Sequence, residues 1–248
     1  MPLPVIYFFT DFGVQGPYLG QMESVLLASC QDIRVVNLMC DAPIANPRGA
    51  AYLLAALSRY LPEHAVVVAV VDPGVGSARK ALCLNIGRRW YVAPDNGLLS
   101  VLSATAGDCS LWEIDPSLMP AVSASFHGRD VFAPVAGMIA QGKIPRLQPV
   151  EREAMVGASW PSDLEEIVYI DGFGNAMTGI SVSSVPGFQG IKVGGYALRR
   201  ATTFSSVGVG EPFCYVNSIG LLEIAVNQGC AAEVLQLCIG HPVNVVCQ

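Results

Sequence analysis

Seven consecutive apolar residues, AVVVAVV at 65–71, constrain the fold of this chain more than any other stretch. A valine-rich run without polar alternation is the pattern of a strand covered on both faces, as in a parallel sheet flanked by helices. The sequence before it supplies the other parts. VIYFF at 5–9 is short and β-rich, and GPYLGQMESVLLAS follows with Tyr18, Met22, Val25 and Leu26 on one helical face. IRVVNL at 33–38 reads as a second strand. PRGAAYLLAALSRYL then opens with Pro47 at a first helical position and carries Ala50, Leu53, Leu54 and Leu57 at helical spacing. Strand, helix, strand, helix, strand predicts an α/β N-terminal domain built on a mainly parallel sheet.

Beyond residue 71 the pattern loosens. ALCLNIGRRWYVAP predicts a hairpin around Gly87, NGLLSVLSA a short helix and LWEID a strand. DVFAPVAGMIAQG predicts one more helix, with Pro134 in its first turn or at a kink. Met22 and Met138 fit core stripes of these helices. Pro145, Pro149 and Pro161 then break the periodicity, so the α/β domain is expected over 1–145 and a linker over 146–164. From 165 to 248 the texture changes to short strands separated by glycines: EEIVYID, AMTGISV, GIKVGGYAL, PFCYVNS, LLEIAVN and NVV. These predict an all-β, barrel-like C-terminal domain.

Only 14% of the 248 residues are charged, against a usual share of roughly 25%, while 52% are apolar. That balance predicts extensive burial, subunit interfaces included. A formal charge of −6 with no Lys/Arg run excludes nucleic acid as a partner. No segment approaches the roughly 18 apolar residues that span a bilayer. MPLPVIYFF has no basic n-region and too short an apolar run for a signal peptide. A soluble cytoplasmic protein without membrane contact is therefore expected. The eight cysteines are scattered without a CxxC pair, which predicts small buried hydrophobes rather than zinc ligands or disulfides.

Ligands of parallel sheets bind beyond the carboxyl ends of the strands. Asp11 follows the first strand, Asp72 in VVDPGVGSAR follows the third, and His127 in SFHGRDVFAP lies in the loop entering the last helix of the domain. Each also has a purely structural reading. Asp11 is a candidate cap of the next helix, Asp72 an Asx-turn before Pro73 and Gly74, and His127 a turn histidine bonded to backbone. Gly74 and Gly76 suggest a phosphate cradle, but the Lys-Ser/Thr ending of a P-loop is missing. Together with Arg79, the acids and the histidine form an acid–base constellation. One histidine with scattered acids has no metal-ligand spacing, so no metal is expected.

TDFG at 10–13 with Tyr18 and Gly20, VDPGVG at 71–76 with Arg79, and APDNGLL at 93–99 form an ordered series. FHGRDVFAP at 126–134, DGFGNAMT at 171–178 and NSIGLLEIAVN at 217–227 continue it. In this order the blocks resemble the S-adenosyl-L-methionine hydroxide adenosyltransferase family, whose relatives include the fluorinating and chlorinating enzymes. The resemblance spans nearly the whole chain and implies an α/β N-domain and a β-barrel C-domain. It also implies a homotrimer with active sites between one subunit's N-domain and a neighbour's C-domain.

The implied reaction is hydrolysis of S-adenosyl-L-methionine to adenosine and L-methionine by in-line attack of an activated water or hydroxide on C5′. No cofactor is implied. By resemblance Asp72, Arg79 and His127 form the catalytic set: Arg79 stabilises hydroxide character, while Asp72 and His127 orient the water and take its proton. The halogenating relatives carry Tyr and Ser where this chain has Asp72 and His127, and an anionic Asp72 repels a halide at close range. The resemblance further places Asp11 on the ribose hydroxyls, Asn175 on the adenine edge with Phe173 or Phe204 beside the base, and Asp171 on the methionine ammonium. Ser218 and the backbone of Ile219, with Glu223 as a weaker candidate, are placed at the amino-acid end, and the loop Gln228–Ala231 near adenine. Gly179 departs from the family's Thr-Asn-Ile continuation, which predicts a looser loop there. Ile219 stands where halogenating relatives have Arg, which leaves carboxylate recognition open. Asn96 and Gly97 are expected to serve a tight turn. Two alternatives remain at this point: a halide-dependent adenosyltransferase, and a non-catalytic sensor of S-adenosylmethionine or adenosine.

Overall fold

The structure is a computed structural model that describes residues 4–30 and 32–248, so Met1–Leu3 of the opening stretch lie outside the described residues. The chain divides into a first compact unit ending at Trp160 and a second, Pro161–Gln248.

The first unit is built on a seven-stranded sheet. Its strands are β1 (Val5–Thr10), β2 (Arg34–Met39), β3 (Val66–Val70), β4 (Ala81–Ile86), β5 (Arg89–Pro94), β6 (Ser110–Ile114) and β7 (Leu147–Pro149), in the order β2-β1-β3-β5-β4-β6-β7. Strands β2, β1, β3 and β5 run parallel; β4, β6 and β7 are antiparallel to their neighbours. The sheet is thus mixed, with direction reversed by the tight β4–β5 hairpin, where Gly87 takes a φ of 60°. All five residues of β3 are buried, as the apolar run predicts. Helices α1 (Tyr18–Ser29) and α4 (Ala133–Ala140) pack together, as do α2 (Pro47–Ser58) and α3 (Ser100–Thr105). Ile6 and Phe8 of β1 and Val66, Val68 and Val70 of β3 share one core with Met22 and Leu26 of α1 and Val135, Ala136 and Ile139 of α4. Asn46 caps α2 by accepting the Gly49 N–H at 3.0 Å, with Pro47 in the first turn.

Part of the stretch expected as linker is ordered structure of the first unit. Leu147, Gln148 and Pro149 pair with Ile114, Glu113 and Trp112, and Pro149 is tolerated because it lies in an edge strand. Asp95 accepts the Val156 N–H at 2.9 Å, and the Trp160 ring occupies the space where side chains on Gly97 and Gly157 would lie. Asn96 donates to the Val71 carbonyl at 2.8 Å and accepts from the Leu98 N–H, so the APDNG block is a turn and a clasp.

The second unit contains two antiparallel sheets: β12 (Pro212–Val216), β13 (Leu221–Val226), β9 (Ala176–Ser181) and β8 (Leu164–Ile170) in one; β11 (Tyr196–Arg199), β10 (Phe188–Val193) and β14 (Val243–Cys247) in the other. Bridges between Glu166 and Pro242 and between Arg200 and Cys214 join the sheets along both margins, giving the expected barrel-like form. The core includes Phe188, Ile191, Leu222 and Ile224, and the short helix α5 (Ala231–Val234) contributes Ala231. GIKVGGYAL is not one strand but a hairpin: Gly194 and Gly195 both take positive φ, 55° and 86°, as a two-residue turn between β10 and β11 requires. Gly179 is not in a loose loop. It lies within β9, where an added Cβ would fall 2.6 Å from Leu164 Cβ.

Met22 is fully buried, but Met138 is 36% exposed and is no core residue. All eight cysteines are free; only Cys83 and Cys214 are buried, and burial pushes both thiols up to about 12. The other six are not the buried hydrophobes expected. No described helix is long and apolar enough to cross a membrane.

Candidate active site

In the order β2-β1-β3, chain connections leave β1 and β3 toward opposite sides, so the crevice beyond their carboxyl ends is a topological switch point. Asp11 directly follows β1 and Asp72 closely follows β3, which brings both carboxylates to that crevice. The Asp72 side chain is turned to Arg79 rather than to its own turn. It receives two hydrogen bonds from that guanidinium: Nε to Oδ1 at 2.7 Å and Nη2 to Oδ2. The same Nη2 lies 3.1 Å from His127 Nδ1. Only 4% of the Asp72 side chain and 8% of the Arg79 side chain are exposed. The guanidinium sits 5.4 Å over the buried Phe132 ring, which fixes its plane.

Two backbone features hold this group. His127 precedes a π-helical turn, Gly128–Phe132, closed by the Ala133 N–H donating to the Gly128 carbonyl and leading into α4 with Pro134 near its start. Such wide turns recur at functional sites. The second feature is Gly76, whose φ is 81° and whose added Cβ would lie 2.5 Å from the Ala124 carbonyl oxygen. The glycine lets the loop from Asp72 to Arg79 approach the segment before His127. Arg129 and Asp130, adjacent and more conspicuous in sequence, bind one another; Arg129 also donates to Gln21 and Asp130 accepts the Ser123 N–H. They are scaffold.

A guanidinium has donors only, so Nδ1 of His127 is the accepting nitrogen and the neutral ring carries its proton on Nε2. Burial and then the neighbouring Arg79 charge hold the His127 pKa below its ordinary 6.5, against opposing pulls from Asp72 and Asp130. Asp11 does not cap α1; its Oδ2 accepts the Ala45 N–H at 2.9 Å. Burial raises the Asp11 pKa, the Ala45 bond opposes this, and Asp72 adds a small repulsion.

The crevice has a volume of about 220 Å³ and is lined by Asp11, Asp72 and His127 with the rings of Phe12, Tyr18 and Phe126. Those rings meet edgewise or tilted at centroid distances of 5.4–5.9 Å. Arg79 lies behind Asp72 and is absent from the lining, so the crevice presents two carboxylates and three aromatic rings. Among the described residues no group of three or more His, Cys, Asp or Glu is arranged to hold a metal.

The expected residues of the second unit lie in the turns that join β8 to β9 and β12 to β13, on β13, and in the segment between β11 and β12. Asp171 is a loop organiser: Oδ1 accepts the Phe173 and Asn175 N–H groups, both at 2.9 Å, and Oδ2 accepts Asn175 Nδ2 at 3.0 Å. Asn175 is buried, whereas Phe173 is 82% exposed. Cys230 fills the space where a Gly174 side chain would lie, and Ala232 N–H donates to the Gly174 carbonyl, so the loop 228–231 braces this turn. Glu223, 2% exposed, accepts the Tyr215 hydroxyl and, at 2.7 Å, Asn217 Nδ2. Burial raises the Glu223 pKa, its two hydrogen bonds oppose that, and Asp171 adds repulsion. Phe204 packs edgewise on Phe213 and Tyr215 rather than standing free. Ser218 is exposed at the tip of the following turn. Sequence reasoning missed Tyr215 and Asn217; the Asn-Ser-Ile-Gly order was a turn signal pointing to Asn217.

Residues 6–148 match the family model described as SAM hydroxide adenosyltransferase N-terminal domain, and residues 165–244 match the corresponding C-terminal domain. The chain belongs to the SAM hydroxide adenosyltransferase family. An (R)-S-adenosyl-L-methionine hydrolase of Thermus thermophilus is 40% identical, with 97% of this chain and 99% of that protein covered. The crystal structure of an uncharacterised conserved protein from Thermotoga maritima superposes with a TM-score of 0.86 at 30% identity, covering 98% of this chain and 100% of the other. A fluorinase of Actinopolyspora mzabensis is 26% identical, covering 98% of this chain and 97% of that protein. The resemblance read from the ordered blocks therefore holds, and so does the division into an α/β and a barrel-like domain.

Proposed function

We propose that this chain hydrolyses S-adenosyl-L-methionine to adenosine and L-methionine. The observation that carries this reading is the lining of the switch-point crevice: two carboxylates and three aromatic rings suit a sulfonium cation and oppose a halide. In the reaction the water oxygen bonds to C5′ as the C5′–S bond breaks. The electron pair stays on sulfur, which leaves as the neutral thioether of methionine and needs no acid.

Asp72, Arg79 and His127 are the residues assigned to the water. His127 donates from Nε2 to the water oxygen, because Nδ1 is committed to Arg79. Each Asp72 oxygen accepts one Arg79 bond and retains a lone pair. Free water, with a pKa of about 15.7, does not give a proton to a carboxylate. As C–O bond formation proceeds, the attacking oxygen becomes an oxonium and strongly acidic, and Asp72 then accepts the proton. Alignment of water with C5′ supplies roughly 7–11 kcal/mol in well-oriented cases. Arg79 compensates the charge on Asp72 from behind.

Asp11 is assigned to the ribose hydroxyls; Asn175, with Phe173 or Phe204, to adenine; Asp171 to the ammonium; and Ser218 with the Ile219 backbone to the amino-acid end. The first domain supplies the water-handling set and the barrel-like domain the adenine and methionine contacts. The assembly proposed with this reading is a homotrimer with sites at subunit interfaces, and the location is the cytoplasm, where free thiols stay reduced.

The test is incubation of purified protein with each sulfonium epimer of S-adenosylmethionine in ¹⁸O-water. Adenosine labelled at its 5′ oxygen, with unlabelled L-methionine, is expected. Folded protein that gives no adenosine above the enzyme-free control overturns the proposal. Appearance of 5′-chloro-5′-deoxyadenosine with chloride present supports the halide-dependent reaction instead, and recovery of bound, unaltered substrate a sensor. Light scattering at three chain masses is the expected result for the assembly.

A further inference from the structure

Glu223 has both carboxylate oxygens engaged inside the protein and almost no exposed surface. It lies on β13 directly opposite Tyr215 of β12. The Tyr215 ring is held by Phe204 at 5.6 Å and Phe213 at 5.5 Å between centroids, which aims its hydroxyl at Glu223 Oε1. Glu223 Oε2 accepts Asn217 Nδ2 at 2.7 Å. The same amide's oxygen, Asn217 Oδ1, accepts the Ile219 N–H at 3.1 Å and the Leu221 N–H at 2.9 Å. Backbone bonds from Gly220 to the Asn217 carbonyl and from Asn217 to the Leu221 carbonyl complete the turn, with Gly220 at a φ of 82°.

An amide side chain has one accepting and one donating end, and nothing in its shape distinguishes them. Facing the turn with Nδ2 instead of Oδ1 would set donors against the Ile219 and Leu221 N–H groups and undo the turn. Glu223 removes that choice. A carboxylate only accepts, so it fixes Nδ2 toward β13 and Oδ1 toward the turn. We infer that Glu223, buttressed by Tyr215, is a positioning residue that sets the shape of the Ser218–Ile219 turn through Asn217. It does not itself contact the substrate. This inference rests on the assignment of that turn to the amino-acid end of S-adenosylmethionine. It also bears on Ile219, which offers backbone in place of a guanidinium: where backbone does the recognition, the turn's shape must be fixed from outside it.

A reciprocal exchange tests the relay. In Asn217→Asp two carboxylates face each other. In Glu223→Gln the amide either sets its donor against Asn217 Nδ2 or turns that donor on the Tyr215 oxygen, which can accept it only by withdrawing the bond that Tyr215 itself gives to position 223. In the double variant the amide introduced on β13 accepts from Tyr215 and donates to the carboxylate introduced at the turn. That carboxylate's other oxygen still accepts both turn N–H groups. Each single substitution is expected to raise KM about tenfold, the scale of one lost buried hydrogen bond. The double variant is expected to return KM to within about threefold of the parent, as a restored pair allows. The change falls on KM rather than kcat, and hydrogen exchange at Ile219 and Leu221 accelerates in the singles and slows again in the double. Single variants with parental KM and exchange, or a double variant no better than the worse single, overturn the inference. A shortened substrate, the dimethylsulfonium analogue lacking the amino-acid end, separates it from the assignment beneath it. Unchanged KM for that analogue in the singles is expected. Equal losses on both substrates, with exchange still following the rescue pattern, keep the relay but overturn the turn's link to the amino-acid end.

Discussion

Arg79 Nη2 binds Asp72 Oδ2 and lies 3.1 Å from His127 Nδ1, so one guanidinium nitrogen fixes both the carboxylate and the tautomer of the imidazole. Protonating His127 would place a second cation against Arg79 and break this contact. The acid limb of kcat/KM is therefore expected below pH 6.5, the ordinary histidine value, because the folded pKa is lowered. The same shift sets a sign for stability. The unfolded chain binds the proton first, so the contribution of His127 is complete above pH 6.5 and is lost as pH falls toward the lowered folded value. Denaturation midpoints measured on either side of pH 6.5 check it, and His127→Phe should flatten the decline.

Arg79→Lys should be far from conservative. An ammonium cannot reproduce the paired Nε and Nη2 bonds to Asp72 together with the contact to His127. A fall in kcat of about 10²-fold or more is expected, on the scale of losing one preorganised electrostatic group. KM should change little, since Arg79 does not line the crevice. Steady-state kinetics with substrate saturation measure both.

Gly76→Ala tests the loop approach. The methyl group would meet the Ala124 carbonyl oxygen at 2.5 Å, a backbone atom that cannot swing aside, and the residue would keep a left-handed φ of 81°. A loss of about 1–3 kcal/mol is expected, visible as a lowered melting temperature. Turnover should fall further than the unfolded fraction accounts for, because the displaced segment leads to His127.

Asp171→Asn keeps an oxygen for the Phe173 and Asn175 N–H groups but sets its own amide nitrogen against Asn175 Nδ2. A cost of about 1–3 kcal/mol is expected from the unsatisfied pair. Faster hydrogen exchange should be confined to residues near 171–175. Affinity for adenosine, measured by calorimetry, should fall with it.

The parallel half of the first sheet was legible because VIYFF and AVVVAVV are apolar runs and the helices between the strands carry apolar residues at helical spacing, the second opened by Pro47. The antiparallel half was partly legible: Gly87 announced its hairpin, but β7 was hidden among prolines that an edge strand tolerates. In the second unit the Gly-Gly turn was read as part of one strand, since glycines within a β-rich stretch do not declare which φ they adopt. At the site, the loop residues were legible as a set through their positions beyond the strand ends and through their order along the chain. The identity of Arg79 as the shared partner of Asp72 and His127 depends on two loops meeting, which pairwise spacing does not encode. Tyr215 and Asn217 were missed for a related reason: their importance lies in cross-strand register and in which end of an amide faces which neighbour.

The two bridges that join the sheets of the second unit, Glu166 with Pro242 and Arg200 with Cys214, also limit how copies of this chain can meet. Each bridge interrupts the open edge it joins, so a foreign strand meets a shortened run of unpaired backbone there. Association through this unit is thereby tilted toward side-chain faces and loops, where chemistry can discriminate one partner from another, and away from ladder hydrogen bonds that any extended chain can offer. The stitches are also narrow. They mark where strand-borrowing by another chain would begin if the seam opened, and closure there protects the chain from its own strands as well as shaping a core.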